Sequence, residues 1–461
     1  MNNLPLLSLV IFVPWAGALL LAALPRISDH AAKILAVAFS LSTLALGLFL
    51  LPGFNPEFSG YQYPEHHVWI RALNVHYRLG LDGMSLLLVL LTGIVSPLAL
   101  AAAARGARDV RLLGLLFLIL QGSALGVFLA LDFFHWFIFW ELSLVPAFFL
   151  IRLWGGAGAG RAAYQFVIYT IAGSAFMLLA FAALYTASGT MDFTELAYLG
   201  ATGQLAGHFG PKAMMLVFLG VFLGLAVKVP LFPFHTWLPP AYAEAPTGVS
   251  MFLTGVMSKM GVYGFLRLLW PIFPDQLKAC SGPLLWLALG GVVLGAFAAI
   301  RQTDLKRMIA YSSVNHLSYC LLALFAVASA DVTVDGPARA AALTGTLLQM
   351  FNHGLSAAAL FYGIGILERR AGGRRGLNDF GGVRTAAPVF AGLCGIAMFS
   401  SVGLPGLNGF VGEFLIFRGV FGLVPHLAAI ATLGLLATAL FYLTFWQRVF
   451  HGPVAGATQG G

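Results

Sequence analysis

Residues 213–234 read AMMLVFLGVFLGLAVKVPLFPF, an apolar run broken by one lysine and two prolines. A helix that crosses a bilayer needs about 20 predominantly apolar residues, and this run supplies them. Its last third is unlike an ordinary membrane helix. Lys228 puts a charge at hydrocarbon depth, and Pro230 and Pro233 each remove a backbone donor and clash with the preceding turn. Carbonyls freed at that depth survive only when buried in protein or facing a watery cavity. The reading that follows is a membrane helix broken on purpose beside an ionisable residue.

The rest of the 461-residue chain fits that setting. Sixty per cent of it is hydrophobic and 9% charged, against roughly 25% charged in ordinary globular chains. Similar runs occur at roughly 5–24, 31–51, 83–104, 112–131, 134–151, 162–187, 213–234, 248–270, 283–300, 305–328, 340–367, 386–420 and 425–449. The first lacks a preceding positive charge, so it is read as a span rather than a cleaved signal. The expected fold is therefore an all-α polytopic membrane protein of thirteen transmembrane helices. Sixteen of the 25 basic residues fall in loops on one side and seven on the other. The positive-inside rule then puts the N-terminus outside and the C-terminus inside. A net charge of +8 reflects this loop bias, so no nucleic-acid partner is expected. The remaining bases, Lys228 and Lys259, lie within spans, as do two of the 17 acids, Glu141 and Glu413. Each costs about 2.5–3.5 kcal/mol to insert.

The twelfth run is broken too, at GLPGLNG (403–409), where Pro405 and Gly406 precede Glu413. The two breaks lie five spans apart, which suits two five-helix inverted repeats, spans 4–8 and 9–13. The expected organisation is three N-terminal helices with an outside loop at 52–82 (residues 1–104), a first repeat (105–270), a second repeat (271–452) and a short inside tail (453–461). Glu141 reads either as a structural glutamate or as part of an ion pathway, with Lys228 its natural partner; an acid can hold a lysine charged only while ionised. Lys259 lies too far from either end of its span to snorkel. His316 and His353, each beside an asparagine, read as proton carriers or as hydrogen-bonded core residues. His235, just past the first break, reads either as an entrance residue or as a loop histidine. His66, His67, His76 and His135 are assigned to loops or interfaces. The expected polar row runs Glu141, Lys228, Lys259, His316, His353, Glu413. Cys280, Cys320 and Cys394 lie too far apart for a metal or cluster site. No cofactor and no metal are expected.

Several stretches together resemble a known family. FWELSLVP (139–146), KVPLFPFHTWLPPAYAEAP (228–246), KMGVYGFLR (259–267), DLKRMIAYSSVNH (304–316), HGLSAAALF (353–361) and GLPGLNGFVGEF (403–414) look like the antiporter-like membrane subunits of respiratory complex I and of related Mrp-type antiporters. The likeness runs from about Leu81 to Gly452. A glutamate in the broken twelfth helix is typical of M-type subunits, whereas L- and N-type relatives usually have lysine there. The resemblance implies a proton-pumping module without a redox centre of its own, driven by quinone reduction elsewhere. In it Glu141 would pair with Lys228, Lys259 would be the central relay, His316 and His353 the link, and Glu413 the outlet. The implied partners are other antiporter-like and small membrane subunits, and lipid, in a bacterial inner membrane. Pro240 and Tyr242 stand where relatives often have Asp and His. Many relatives also continue into a fourteenth span, whose face a partner or lipid is expected to cover here. Alternative settings are an Mrp-like cation/proton antiporter, a membrane-bound hydrogenase or an energy-coupled inorganic-carbon uptake complex.

Overall fold

The computed structural model describes residues 4–330 and 336–460; Gly461, the end of the expected tail, lies outside them. Among the described residues, twelve helices are long and apolar enough to cross a membrane. The expected span 386–420 is divided into Pro388–Val402 and Asn408–Leu423, each too short alone. The chain forms two compact units: 1–229 with 244–252 and 256–277, and 230–243 with 253–255 and 278–461.

The first unit opens with α1 (Leu6–Ala23) and α2 (Asp29–Leu50). The segment expected as a plain outside loop carries an antiparallel hairpin, β1 (Gln62–Ile70) against β2 (Val75–Leu81). The Glu65 carboxylate on this hairpin reaches the start of α1. It accepts from the Leu7 and Ser8 amides at 2.7 and 3.2 Å and from the Ser8 hydroxyl, satisfying donors that a helix leaves open at its N-terminus. Then follow α3 (Gly83–Ala103), α4 (Val110–Leu129), α5 (Phe133–Leu142), α6 (Leu144–Trp154), α7 (Ala159–Ser188), α8 (Phe193–Ala201), α9 (Gln204–His208) and α10 (Pro211–Lys228). Aspartates begin several of them: the Asp82, Asp109, Asp132 and Asp192 side chains cap α3, α4, α5 and α8. These four acidic residues thus have a local backbone task. The expected fifth span is interrupted at Ser143, because Pro146 cannot donate to the Leu142 carbonyl.

α10 stops at Lys228, six residues before the expected end of its span. Pro230 has no amide to offer Ala226, and Pro233 prevents an immediate restart. The chain passes into the second unit as turns and α11 (Leu238–Glu244). The eighth span, Thr247–Ile272, is one continuous helical run in α12 (Thr247–Phe252), α13 (Ser258–Gly264) and α14 (Trp270–Ile272), joined by π turns at Leu253–Met257 and Phe265–Leu269. Arg267, one of the basic residues counted above in loops, lies in the second π turn and is buried. His135, also assigned to a loop or interface, is buried on α5.

The second unit holds α15 (Pro274–Ile300), α16 (Leu305–Ser329), α17 (Gly336–Arg370), the short α18 (Val383–Ala386), α19 (Pro388–Val402), α20 (Asn408–Leu423) and α21 (Pro425–Phe445). Lys306, counted with an inside loop, is buried in the first turn of α16 and paired with Glu368 at 2.7 Å. Between α19 and α20 the backbone turns through Gly403 and Gly406, at φ 80° and 95°, values that glycine adopts without strain. The Ser400 hydroxyl, bonded to Asn408 Oδ1 at 2.6 Å, receives the Gly409 amide at 3.3 Å. Asn352 of α17 holds the Asn408 carbonyl at 2.6 Å. The break is therefore a hydrogen-bonded structure.

α17 and α20 approach backbone to backbone. A Cβ on Gly345 would lie 2.5 Å from the Ile416 amide nitrogen and 2.9 Å from the Gly412 carbonyl. Gly345→Val should force the helices apart and destabilise the chain by about 1–3 kcal/mol. Thermal unfolding in detergent is the check; a variant that melts with the wild type would mean that the seam relaxes freely.

Candidate proton-transfer sites

The second unit brings three expected residues into one buried cluster. His316 on α16 places Nδ1 3.1 Å from Glu413 Oε1 on α20. The His353 ring on α17 lies 5.3 Å from the His316 ring, centroid to centroid. His316, His353 and Glu413 are 1%, 4% and 6% exposed, so the protein itself solvates them. The expected order, with His353 between His316 and Glu413, is corrected: His316 touches both. The reason is the α17–α20 seam, which brings Glu413 level with Gln349, one turn before His353.

Gln349 was missed. Its Nε2 donates to Glu413 Oε1 at 3.2 Å and lies 3.4 Å from His316 Nδ1, so amide and imidazole converge on one carboxylate oxygen. It is uncharged and draws no notice as a charge in hydrocarbon, but its i,i+4 spacing to His353 puts both on one face of α17. The two asparagines serve the scaffold: Asn315 donates to the Val292 carbonyl at 2.6 Å, and Asn352 holds the break. His316 Nε2 is buried without a hydrogen-bond partner. The ring thus offers one nitrogen to Glu413 and leaves the other unbonded. Glu413 Oε2 packs beside Gly403, where a Cβ would come within 2.5 Å, so the carboxylate abuts the break itself.

The first unit holds Glu141, Lys228 and Lys259. Among the described residues the Lys228 ammonium makes no direct ion pair with Glu141, its expected partner. It lies 4.8 Å from the centre of the Trp140 ring and donates to Ser143 Oγ at 3.4 Å. Trp140 and Ser143 are three residues apart and share a helix face, whereas Glu141 is turned about 100° from Trp140. The indole is fixed by its own bond to Ser174 Oγ at 3.0 Å. Glu141 follows Trp140 on α5. Its Oε1 has no hydrogen-bond partner, and the residue lines a cleft of about 670 Å³ with Phe148, Tyr164 and Ile171. Lys259 is fully buried, with Nζ 3.1 Å from Ser258 Oγ. His235, in the second unit, is half-buried against Phe232 and Tyr311.

The family model described as NADH:quinone oxidoreductase/Mrp antiporter, TM, matches residues 130–440. The chain belongs to this family. The matched stretch includes all six residues of the expected polar row. Within the family the chain is 36% identical to NADH-quinone oxidoreductase subunit M of Rhodobacter capsulatus, over 97% of this chain and 87% of that protein. It is 37% identical to F(420)H(2) dehydrogenase subunit M of Methanosarcina mazei, over 97% and 88%. Its fold is similar to a chain of respiratory complex I from Thermus thermophilus with bound NADH. The TM-score there is 0.84 at 32% identity, covering 98% of this chain and 92% of that one.

Gln349→Leu removes the amide donor and leaves Glu413 with one neutralising neighbour. Losing a buried hydrogen bond to a charged group should destabilise the chain by about 1–3 kcal/mol. Gln349→Glu, placing a second acid beside the first, should be worse. Chemical denaturation of the purified variants would rank them, and the reverse ranking would mean that Gln349 does not donate to Glu413.

Proposed function

We propose that the chain is a proton-translocating, antiporter-like subunit of a complex I-type NADH-quinone oxidoreductase, with its N-terminus outside a bacterial inner membrane. The observation that carries this reading is the buried His316–Glu413 contact, joined by Gln349 at the same carboxylate oxygen and set against the α19–α20 break. A neutral histidine takes a proton on one ring nitrogen and gives one from the other. A proton received at His316 Nε2, from the side of the ring facing away from Glu413, releases the Nδ1 proton to the Glu413 carboxylate. His353, ring against ring, is the neighbouring carrier, and Glu413 is the outlet. Backbone groups opened by Pro405 and Gly406 let water reach that end. The two breaks are read as equivalent points of an inverted repeat.

In the first unit, Glu141 and Lys228 act as a charge switch and Lys259 as the relay. Lys228, held by an indole face and a hydroxyl, is free to strengthen or loosen its attraction to Glu141 as other charges change. His235 is read as the entrance. No redox centre is assigned to the chain; quinone reduction in other subunits supplies the energy. The apolar cleft beside Glu141, lined by Phe148, Tyr164 and Ile171, supports contact with another membrane subunit or lipid along that side. The Methanosarcina relative belongs by name to an F(420)H(2) dehydrogenase, which supports reading the subunit as independent of one electron donor. Co-purifying subunits separate the settings. NADH-binding and iron–sulfur proteins support the proposal, and a set of small antiporter subunits alone overturns it in favour of a cation/proton antiporter.

Glu141→Gln should abolish or nearly abolish coupled pumping while the subunit still assembles, since the amide cannot change charge. Reconstituted vesicles carrying the variant would show it as lost acidification during turnover, and full acidification would remove the switch. Glu413→Ala should slow pumping strongly, whereas Glu413→Asp should retain part. Proton movement and quinone turnover measured together decide; undiminished pumping in the Ala variant means the outlet lies elsewhere.

A further inference from the structure

One buried charge in the first unit has no part in the relay described above. Arg267 lies in the second π turn of the eighth span, four residues after Tyr263 and eight after Lys259. Lys259 and Tyr263 share a face of α13 through their i,i+4 spacing. Tyr263 touches Arg267: the guanidinium Nε donates to the Tyr263 hydroxyl at 3.1 Å. Nη1 donates to the Tyr61 hydroxyl at 2.7 Å, and Nη2 to Asp82 Oδ2 at 2.6 Å and Ser85 Oγ at 3.2 Å. The rings of Tyr61 and Tyr263 flank the guanidinium at 5.1 and 5.2 Å. Asp82, at the start of α3, keeps 27% of its side chain exposed and so reaches water. Along the helix the distance from Lys259 to Arg267 is about 12 Å at the usual rise per residue. Lysine, phenol and exposed carboxylate would thus line a short exit from the middle of the span to one face, were it not for the charge fixed across it.

We propose that Arg267 is an electrostatic plug, which bars a proton on Lys259 from escaping past Tyr263 to Asp82 and the aqueous face. The inference rests on the proton-translocation reading of this chain. A guanidinium does not deprotonate in proteins, so it cannot pass a proton on. Held by donated bonds to Tyr263, Tyr61, Asp82 and Ser85, it repels an approaching cation, as fixed arginines do in pores that exclude protons. Its partners fill most of its donor fork, so the charge cannot swing aside. π turns recur at functional sites, and this one sets the arginine between Tyr263 and the α3 cap. The plug keeps protons that reach Lys259 available for the relay.

The test uses vesicles containing the intact parent complex, loaded with an entrapped pH dye and given a pH gradient without electron donor. Arg267→Met should let the gradient decay several-fold faster than in wild type. Arg267→Lys, which keeps a charge, should stay tight. Adding Lys259→Ala to Arg267→Met should restore the slow decay, because the leak starts at that lysine. A merely structural arginine would show neither the charge dependence nor the rescue. An Arg267→Met variant as tight as wild type, or a leak that Lys259→Ala leaves in place, overturns the plug. If Arg267→Met fails to assemble, Arg267→Gln, which keeps an amide donor without the charge and leaves Asp82 in place, is read the same way. Turnover-driven acidification by wild type in the same vesicles tests the proton-translocation reading separately, so its failure is distinguishable from an unchanged leak.

Discussion

An ionised side chain among apolar helices must find in the protein the solvation it leaves behind in water, and the arrangement of both units follows from that demand. The penalty is several kcal/mol per group unless partners offset it. In the second unit the offset is direct, with imidazole and amide both reaching one carboxylate oxygen. That convergence needs α17 and α20 close together, hence glycines at 345 and 412 where their backbones meet. In the first unit the offset for Lys228 is softer: an aromatic face and a hydroxyl. An exposed indole–cation contact is worth roughly 0.5–1 kcal/mol and a desolvated one about 2. The two solutions suit different tasks. A tight acid–imidazole contact defines where a proton goes, whereas a cation on a ring responds to charges further off.

Much of this was legible in the chain. Run length and composition marked every span, and the two proline-bearing breaks were visible because proline cannot hide in a helix. Glu141, Lys228, Lys259 and Glu413 stood out because charge is scarce at that depth. The residues that escaped notice had no such contrast. Gln349 is neutral and reads as one more polar residue in a long helix, and only its distances to Glu413 and His316 reveal its place. Arg267 sits near the end of a span, where a basic residue is ordinarily interfacial, so its burial depended on Asp82 and Tyr61 being brought to it. The hairpin at 62–81 lay in a polar stretch whose pairing depends on register rather than hydropathy. The close pairing of Glu141 with Lys228 followed from charge complementarity alone. It did not allow for the 100° between neighbouring residues of a helix, which turns Trp140 and not Glu141 toward the lysine.

The aspartates that start helices and the acids buried within spans show one residue class used in two ways. At the ends, Asp82, Asp109, Asp132, Asp192 and Asp304 accept backbone amides, and their charge is spent on local geometry. Asp82 does both, because one oxygen caps α3 and the other holds Arg267. A capping residue is already fixed in position by the helix it begins, so it makes a rigid anchor for a second charge.

The Glu65 contact with the first turn of α1 has a consequence for how the chain is made. The Leu7 and Ser8 amides are made before their acceptor, which is synthesised 57 or 58 residues later. By then α1 and α2 have both been translated, and the carboxylate must come back over them on the hairpin. The first turn of α1 therefore gains its acceptor only after α2 has been made, and β1 acts as the clasp that closes it.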